Sequence, residues 1–210
     1  MKVIAINGSP KNQGNTNRVL EIMGVELQKQ QIHFEILHVG NKVIRGCSAC
    51  SICKKNQDKK CSINDDLNLI IPKLIEADGI ILGSPVYYSG IAGTMKSFLD
   101  RLFYVSSANG NFFRHKVGAS ICAVRRSGGL PTFHALNNYL TYSEMFIPTS
   151  NYWNVIHGTV PGDVEQDGEG MQIARVLGKN MAWLLKVVEI GKQEIPVPVA
   201  EKKEVTCFVR

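Results

Sequence analysis

The chain alternates between short runs of apolar residues and longer amphipathic stretches. The short runs predict strands that are buried on both faces of a sheet. The longer stretches repeat apolar residues every three or four positions, which predicts helices. The predicted strands are residues 2–6, 33–39, 79–83, 116–124 and 152–157, and the predicted helices are residues 16–30, 67–77, 93–105, 130–146 and 170–190. Pro72 predicts a kink or a late start in the second helix.

This alternation predicts an α/β fold, with a doubly wound parallel sheet of five strands covered by helices on both faces. In such sheets, ligands bind beside the carboxyl ends of the strands. Three loops at those ends are candidates for a binding site, and they are residues 7–15, 84–93 and 125–129.

We predict one domain over residues 1–190, followed by an extended arm over residues 191–210. A loop rich in cysteine, residues 40–66, is inserted after the second strand and is called the cysteine loop below. The apolar runs are too short for a membrane span or a signal-peptide core, so we expect a soluble, cytoplasmic protein. The chain has 210 residues, of which 44% are hydrophobic, and this excludes disordered and collagen-like proteins.

The net charge of +6 first points to a nucleic-acid partner, but its distribution argues against one. Residues 41–61 contain six lysines and arginines and a single acidic residue, so most of the excess charge lies in one short segment. Four of the six cysteines lie in the same segment. In a cytosolic chain, such a cluster favours metal or redox chemistry over disulfides.

The cysteines follow the spacing C-x2-C-x2-C-x7-C, at Cys47, Cys50, Cys53 and Cys61. Two successive steps of three residues are typical of the ferredoxin-type run that binds a [4Fe–4S] cluster. Structural zinc sites separate two C-x2-C pairs by a longer stretch, so the spacing favours iron–sulfur over zinc. The flanking basic side chains would offset the negative charge of such a cluster. Buried or reactive thiols without a cluster are the alternative.

The three strand-end loops offer different chemistry. The first, Asn7–Thr16, ends at a helix N-terminus whose amides and hydroxyls suit a phosphate group, although a plain strand–helix turn explains it equally well. The second, Gly83–Gly90, carries two tyrosines on which a planar ring could stack, or which simply cover the sheet end. The third, Arg125–Gly129, combines arginines with paired glycines, which suits an anion or a flexible turn.

Together these loops resemble those of the flavodoxin-like NAD(P)H-dependent FMN reductases. The similar pieces are Gly8-Ser9-Pro10, Gly14-Asn15-Thr16, Gly83–Tyr88, Met95–Arg101 and Asp163–Gly170, which occur in the same order across residues 2–190. The cysteine loop resembles that of the iron–sulfur flavoprotein branch of this group.

The resemblance implies a flavodoxin-like fold with the strand order 2-1-3-4-5. It also implies that FMN is bound by all three loops, with its phosphate on the first and its ring against the second. The implied FMN-binding residues are Ser9, Lys11, Asn15, Thr16, Pro85, Val86, Tyr87, Tyr88, Ser127, Gly128 and Gly129. The ligands of a [4Fe–4S] cluster are expected to be Cys47, Cys50, Cys53 and Cys61.

We therefore expect an FMN-dependent oxidoreductase that moves electrons between NAD(P)H, or a reduced carrier, and a quinone-like, flavin or protein acceptor. No side chain is assigned as a general acid or base, because the flavin performs the chemical step. A non-catalytic electron carrier that docks ferredoxin-like partners is the alternative, and a zinc-stapled binding module is a third. The resemblance implies a homodimer or homotetramer.

Overall fold

The computed structural model describes residues 1–208, so the last two residues of the predicted arm lie outside the described part of the chain. The strands are β1 (Lys2–Asn7), β2 (His33–His38), β3 (Gly79–Tyr87), β4 (Gly90–Ile91), β5 (Val117–Val124) and β6 (Val155–His157). The helices are α1 (Asn15–Lys29), α2 (Ile52–Asn56), α3 (Asp66–Glu76), α4 (Gly93–Ala108), α5 (Gly129–Tyr142) and α6 (Gly168–Glu194).

Five strands form a parallel sheet in the order β2-β1-β3-β5-β6. This confirms the predicted doubly wound, flavodoxin-like α/β fold. The parallel sheet has the predicted five strands in the predicted spatial order, but the prediction lacked the two-residue strand β4, which pairs with the end of β3 in an antiparallel hairpin. So short a strand leaves no periodic pattern in the sequence, and it shifts the numbering of the strands that follow it.

Two apolar cores cover the two faces of the sheet. Side chains alternate along β1, so Ile4 and Ile6 face the core beneath α3 and α4, whereas Val3 and Ala5 face the core beneath α1 and α6. All residues of β5 are buried, as expected for a central strand of such a sheet. The loops at the carboxyl end of the sheet therefore project from a base that is packed on both faces.

Several element boundaries differ from the predicted ones. Asp65 accepts a hydrogen bond from Leu67 N–H and starts α3 at Asp66, so the predicted late start at Pro72 is wrong. β6 begins at Val155 rather than Tyr152, because pairing with β5 starts at Val155. α6 continues to Glu194, and extended chain begins after it rather than at residue 191.

No helix within residues 1–208 combines the length and the apolar character that crossing a membrane requires.

Candidate functional site

The carboxyl ends of the central strands surround a cavity of about 190 Å³, which we call the strand-end cavity. Its wall is made by the loops that follow β1, β5 and β6 and by the last residues of β3. The lining residues are Ser9, Lys11, Gly14, Asn15, Thr16, Pro85, Val86, Tyr87, Ala123, Arg125, Gly158, Thr159 and Pro161. The cavity therefore lies where ligands bind in open α/β sheets.

The loop after β1 is fixed by hydrogen bonds around Ser9. Ser9 N–H donates to Asn7 Oδ1 at 2.9 Å, and Lys11 N–H donates to Ser9 Oγ at 3.2 Å. His38 Nε2, at the end of β2, lies 2.5 Å from the Ser9 carbonyl oxygen, which accepts its proton in the matching tautomer. Since Ser9 Oγ only accepts in these contacts, its own hydroxyl proton is available to a ligand.

The first turn of α1 faces the strand-end cavity with its amides uncapped. Gly14 precedes the helix, no side chain caps its N-terminus within residues 1–208, and the first turn contains no acidic residue. The positive end of the helix dipole, together with Lys11, therefore favours an anion in the cavity. Asn15 Oδ1 accepts a hydrogen bond from Gly162 N–H at 3.0 Å, which ties α1 to the loop after β6.

The hairpin between β3 and β4 turns through Tyr88 and Ser89, whose φ angles are 48° and 56°. Two left-handed residues in a two-residue loop form a type I′ turn, which normally contains glycine or asparagine. Each of these residues costs about 1–2 kcal/mol in this conformation. Gly128, with φ of 86°, packs against the turn so closely that an added Cβ would lie 2.6 Å from Ser89 Cα. The loop after β5 thus supports the β3–β4 turn.

Seven of the eleven predicted FMN-binding residues line the strand-end cavity. They are Ser9, Lys11, Asn15, Thr16, Pro85, Val86 and Tyr87. The structure does not bring the other four into this cavity. Tyr88 is fully exposed at the tip of its turn. Ser127, Gly128 and Gly129 line a neighbouring groove together with Trp153.

The sequence analysis did not include the loop after β6 among the candidate loops, although Gly158, Thr159 and Pro161 line the strand-end cavity. The position of this loop could have been predicted, because it follows a predicted strand and so also lies at a carboxyl end of the sheet. Ala123 was missed because it lies within β5 and carries no functional group.

The four cysteines predicted as cluster ligands line one small cavity together with Arg101. Cys47 and Cys50 are exposed, Cys61 is half-buried, and Cys53 is buried on the short helix α2. Ala49 and Ser51 flank Cys50 with φ angles of 53° and 57°, which bends the chain around the cavity. The sequence spacing and the folded chain thus agree in placing these four cysteines around one cavity.

The donor set of this cysteine cavity consists of sulfur ligands without a neighbouring carboxylate or imidazole among its lining residues. Within residues 1–208, no three His, Cys, Asp or Glu side chains are close enough to hold a single metal ion. Four sulfur donors around one cavity are the ligand type that an iron–sulfur cluster requires.

The two central cysteines of the motif differ in their acidity. The hydroxyl of Ser62 lies 3.1 Å from Cys50 Sγ, and its hydrogen bond to the thiolate lowers the pKa of Cys50. Loss of solvent raises the pKa of Cys53. At neutral pH, Cys50 therefore has the larger thiolate fraction.

In metal-free protein near neutral pH, iodoacetamide is expected to alkylate Cys50 before Cys53, because the thiolate is the reactive form. Mass spectrometry of the peptides over time measures the two rates. Ser62→Ala should slow the reaction of Cys50, whose exposure it leaves unchanged. Equal rates at both cysteines in the unmodified protein would contradict this assignment.

The basic side chains around the cysteines are exposed. They are Lys42, Arg45, Lys54, Lys55, Lys59 and Lys60. Lys42 pairs with Asp66 at 3.0 Å, whereas the other five make no ion pair within residues 1–208. The surface around the cysteines is therefore positively charged. Cys122 lies elsewhere, in β5, and burial raises its pKa to about 12, so it stays a thiol at neutral pH.

The sequence matches the model of a known protein family over residues 1–160, and that family is described as NADPH-dependent FMN reductase. An iron-sulfur flavoprotein of Methanocaldococcus jannaschii is 35% identical over 196 residues, which cover 90% of this chain and all of the relative. An iron-sulfur flavoprotein of Methanosarcina thermophila is 26% identical and aligns with 92% of this chain and all of the relative.

Solved structures of low sequence identity share the fold. A RosB structure with a bound intermediate, 8-demethyl-8-formylriboflavin-5'-phosphate, has a TM-score of 0.72 at 17% identity and covers all of this chain and 94% of that one. A WrbA-like flavodoxin from Agrobacterium tumefaciens has a TM-score of 0.59 at 16% identity and covers 89% of this chain and 97% of that one. At these identities the likeness establishes the fold alone.

Proposed function

This chain belongs to the NADPH-dependent FMN reductase family, and from that premise we propose that it is an FMN-dependent oxidoreductase with an iron–sulfur centre. It would take electrons from NAD(P)H or a reduced carrier and deliver them to a quinone-like, flavin or protein acceptor. The observation that carries the proposal is the pairing of two sites in one chain. One is a cavity at the carboxyl edge of the sheet, lined by the uncapped first turn of α1 and by Lys11, and the other is a cavity lined by four cysteines.

The strand-end cavity fits FMN in the chemistry of its lining. The uncapped first turn of α1, the Ser9 hydroxyl and Lys11 would bind the phosphate. The hydroxyl of Thr16 makes no hydrogen bond to any other described residue and lines the same cavity, so it is available as a further donor. Pro85, Val86 and Tyr87 would form the wall against the flavin ring. The other four predicted FMN-binding residues would lie along the outer side of the flavin ring. They are Tyr88, Ser127, Gly128 and Gly129.

FMN and a [4Fe–4S] cluster, when bound, would supply hydride and single-electron chemistry and so join a two-electron donor to one-electron acceptors. The protein's own residues would bind the two cofactors, orient them and shield them from water. Asn7 and His38 hold the Ser9 loop, and Gly128 supports the Tyr88–Ser89 turn. Cys47, Cys50, Cys53 and Cys61 would hold the cluster, and the exposed lysines and arginines nearby would offset its negative charge.

The proposal is tested on protein that is purified anaerobically. We expect a flavin absorption spectrum, FMN released on denaturation, and iron with acid-labile sulfide in equal amounts. We also expect steady oxidation of NADPH or NADH with a quinone or free flavin as acceptor. Colourless protein that contains zinc and no flavin would contradict the proposal and favour a zinc-stapled binding module.

A second candidate function is that of an electron carrier without a substrate of its own. The exposed basic side chains of the cysteine loop favour it, because they suit docking of an acidic ferredoxin-like partner. The carrier would be reduced rapidly by ferredoxin, at a rate that falls as ionic strength rises, and would show no turnover with NADH or NADPH.

We further propose that the protein works as a homodimer or homotetramer in the cytoplasm, where thiols stay reduced. Support comes from apolar side chains that are exposed along the extended chain after α6, including Val199 and Phe208, at 90% and 94% exposure. Light scattering of the intact protein measures the mass directly.

A further inference from the structure

Arg101 is a buried charge that the proposed chemistry has not yet used. It lies on α4, its side chain has no exposed surface, and it is the largest fully buried side chain of the described residues. Charged side chains are almost never buried to this extent unless they are paired. Its partners therefore indicate why the chain keeps a charge at this position.

All five N–H groups of Arg101 donate to residues of the cysteine loop, on both sides of the cysteine motif. Nη1 donates to the Arg45 carbonyl oxygen at 3.1 Å and Nη2 to the Ile63 carbonyl oxygen at 3.1 Å. The same two nitrogens bind Asp65 as a fork, at 2.5 Å to Oδ2 and 3.0 Å to Oδ1. Nε donates to Cys61 Sγ at 3.3 Å. A guanidinium has five donors, so the side chain is fully used.

The positions of these partners explain the geometry of the cysteine cavity. Arg45 precedes the first cysteine and Ile63 follows the last, so one side chain joins the two ends of the motif. Asp65 lies at the start of α3 and pairs with the guanidinium charge. Loss of solvent disfavours the charged guanidinium, but its hydrogen bonds to Asp65 and Cys61 outweigh this and raise the pKa of Arg101, which stays charged.

A second contact close to α4 supports this arrangement. Asn109 directly follows the last residue of α4, and its side chain also contacts the cysteine loop. Asn109 Oδ1 accepts from Lys59 N–H at 2.8 Å, and Asn109 Nδ2 donates to the Cys53 carbonyl oxygen at 3.3 Å. The cysteine loop is thus held by Arg101 on α4 and by Asn109 just after this helix.

We propose that Arg101 is the positioning residue that preorganises the four cysteines for the cluster, and that its Nε–H bond to the Cys61 sulfur makes the reduction potential of the cluster more positive. This inference rests on the cluster of the proposed function. A hydrogen bond and a positive charge at a thiolate ligand stabilise the more negative, reduced state of a cluster. Removing them makes reduction harder and shifts the potential to a more negative value.

The test compares the wild type with Arg101→Lys, Arg101→Gln and Asp65→Asn. Lysine keeps the charge but cannot form the fork or reach all the partners at once. Asp65→Asn weakens the forked pairing between residue 65 and Arg101 but leaves the Nε–H bond to Cys61 in place. Arg114→Lys is the matched control, because Arg114 pairs with Glu144 at 2.6 Å, outside the cysteine loop. Retained FMN reports that each variant is folded.

In the metal-free, FMN-bound protein, we expect faster hydrogen exchange over residues 45–65 in both Arg101 variants and in Asp65→Asn, but not in Arg114→Lys. After anaerobic reconstitution, cluster affinity should fall about 10- to 100-fold in the Arg101 variants. The reduction potential measured by a spectroscopic titration should become more negative in Arg101→Lys, and more so in Arg101→Gln. Asp65→Asn should not shift the potential to a more negative value, because it keeps both the guanidinium charge and the Nε–H bond to Cys61.

This inference would be overturned if Arg101→Lys showed the same hydrogen exchange over residues 45–65 and the same reduction potential as the wild type. That result would not affect the proposal that the protein binds a cluster. A wild type that takes up no cluster would overturn the cofactor of the proposed function instead. The exchange comparison in metal-free protein would then still decide whether Arg101 orders the cysteines. If Arg101→Gln loses FMN and is unfolded, Arg101→Lys alone decides.

Discussion

Gly40→Ala is expected to weaken FMN binding about 5- to 150-fold, from a steric cost of roughly 1–3 kcal/mol. Gly40 follows β2 and its N–H donates to the Asn7 carbonyl oxygen at 3.1 Å, so the chain passes directly over the loop after β1. A Cβ at Gly40 would lie within van der Waals overlap of the Ser9 carbonyl oxygen and carbon. Both are backbone atoms, so the clash is relieved only by moving the loop that would hold the phosphate.

Titration of the metal-free protein with FMN, followed by flavin fluorescence, measures this effect. Gly191→Ala is the matched control, because an added Cβ at Gly191 meets no atom within 4 Å. Gly191 lies inside α6, so this change should leave FMN binding unaltered and raise stability by about 0.5–1 kcal/mol. Unchanged FMN affinity in Gly40→Ala would contradict the proposal that the loop containing Ser9 binds the FMN phosphate.

Cys47→Ser and Cys50→Ser, made separately, are each expected to abolish a stable [4Fe–4S] cluster and to leave FMN binding intact. Serine presents a hard, poorly ionised oxygen in place of a soft thiolate. Both cysteines are exposed, so neither change opens a gap in the core. Iron and acid-labile sulfide after anaerobic reconstitution measure the loss, and FMN content and the melting temperature report on the rest of the protein.

Cys207→Ser is the control for these variants, because Cys207 is also exposed but lies in the extended chain after α6. It should bind as much iron and sulfide as the wild type. If Cys47→Ser and Cys50→Ser also bind as much iron and sulfide as the wild type, the four cysteines are not the ligands.

In Cys47→Ser and Cys50→Ser, which would lack the cluster, electron transfer from NADPH to free flavin should persist, while transfer to one-electron protein acceptors should fall.

Much of the fold follows from local pattern. The apolar run Gly79–Gly83 marks the first half of β3, and the cysteine spacing marks the residues that line one cavity. The extension of β3 through Tyr87 could not be predicted, because Ser84 and Pro85 are typical of turns. They remain in the strand because they pair with Cys122 and Ala123 of β5. Pairing between distant segments thus overrides local preference.

The same limit explains what was missed in the candidate site. Arg101 and Asp65 are 36 residues apart in the sequence, and no periodic pattern connects them. A charge among buried residues of α4, next to Phe98 and Leu102, was the available signal. It indicated an unusual position without indicating a partner. The loop after β6 was detectable by topology, whereas the contact of Gly128 with Ser89 depends on backbone geometry.

Helix α4 gives the two sites a common mechanical support. Near its start, Ala92 N–H donates to Ser84 Oγ at 3.1 Å, and Met95 packs against Gly8 of the loop after β1. Further along, Arg101 and Asn109 hold the cysteine loop. Any free-energy coupling that this helix transmits between the sites must be reciprocal. If bound FMN changes the affinity of the protein for the cluster by some factor, a bound cluster changes the affinity for FMN by the same factor. This factor does not depend on which cofactor binds first.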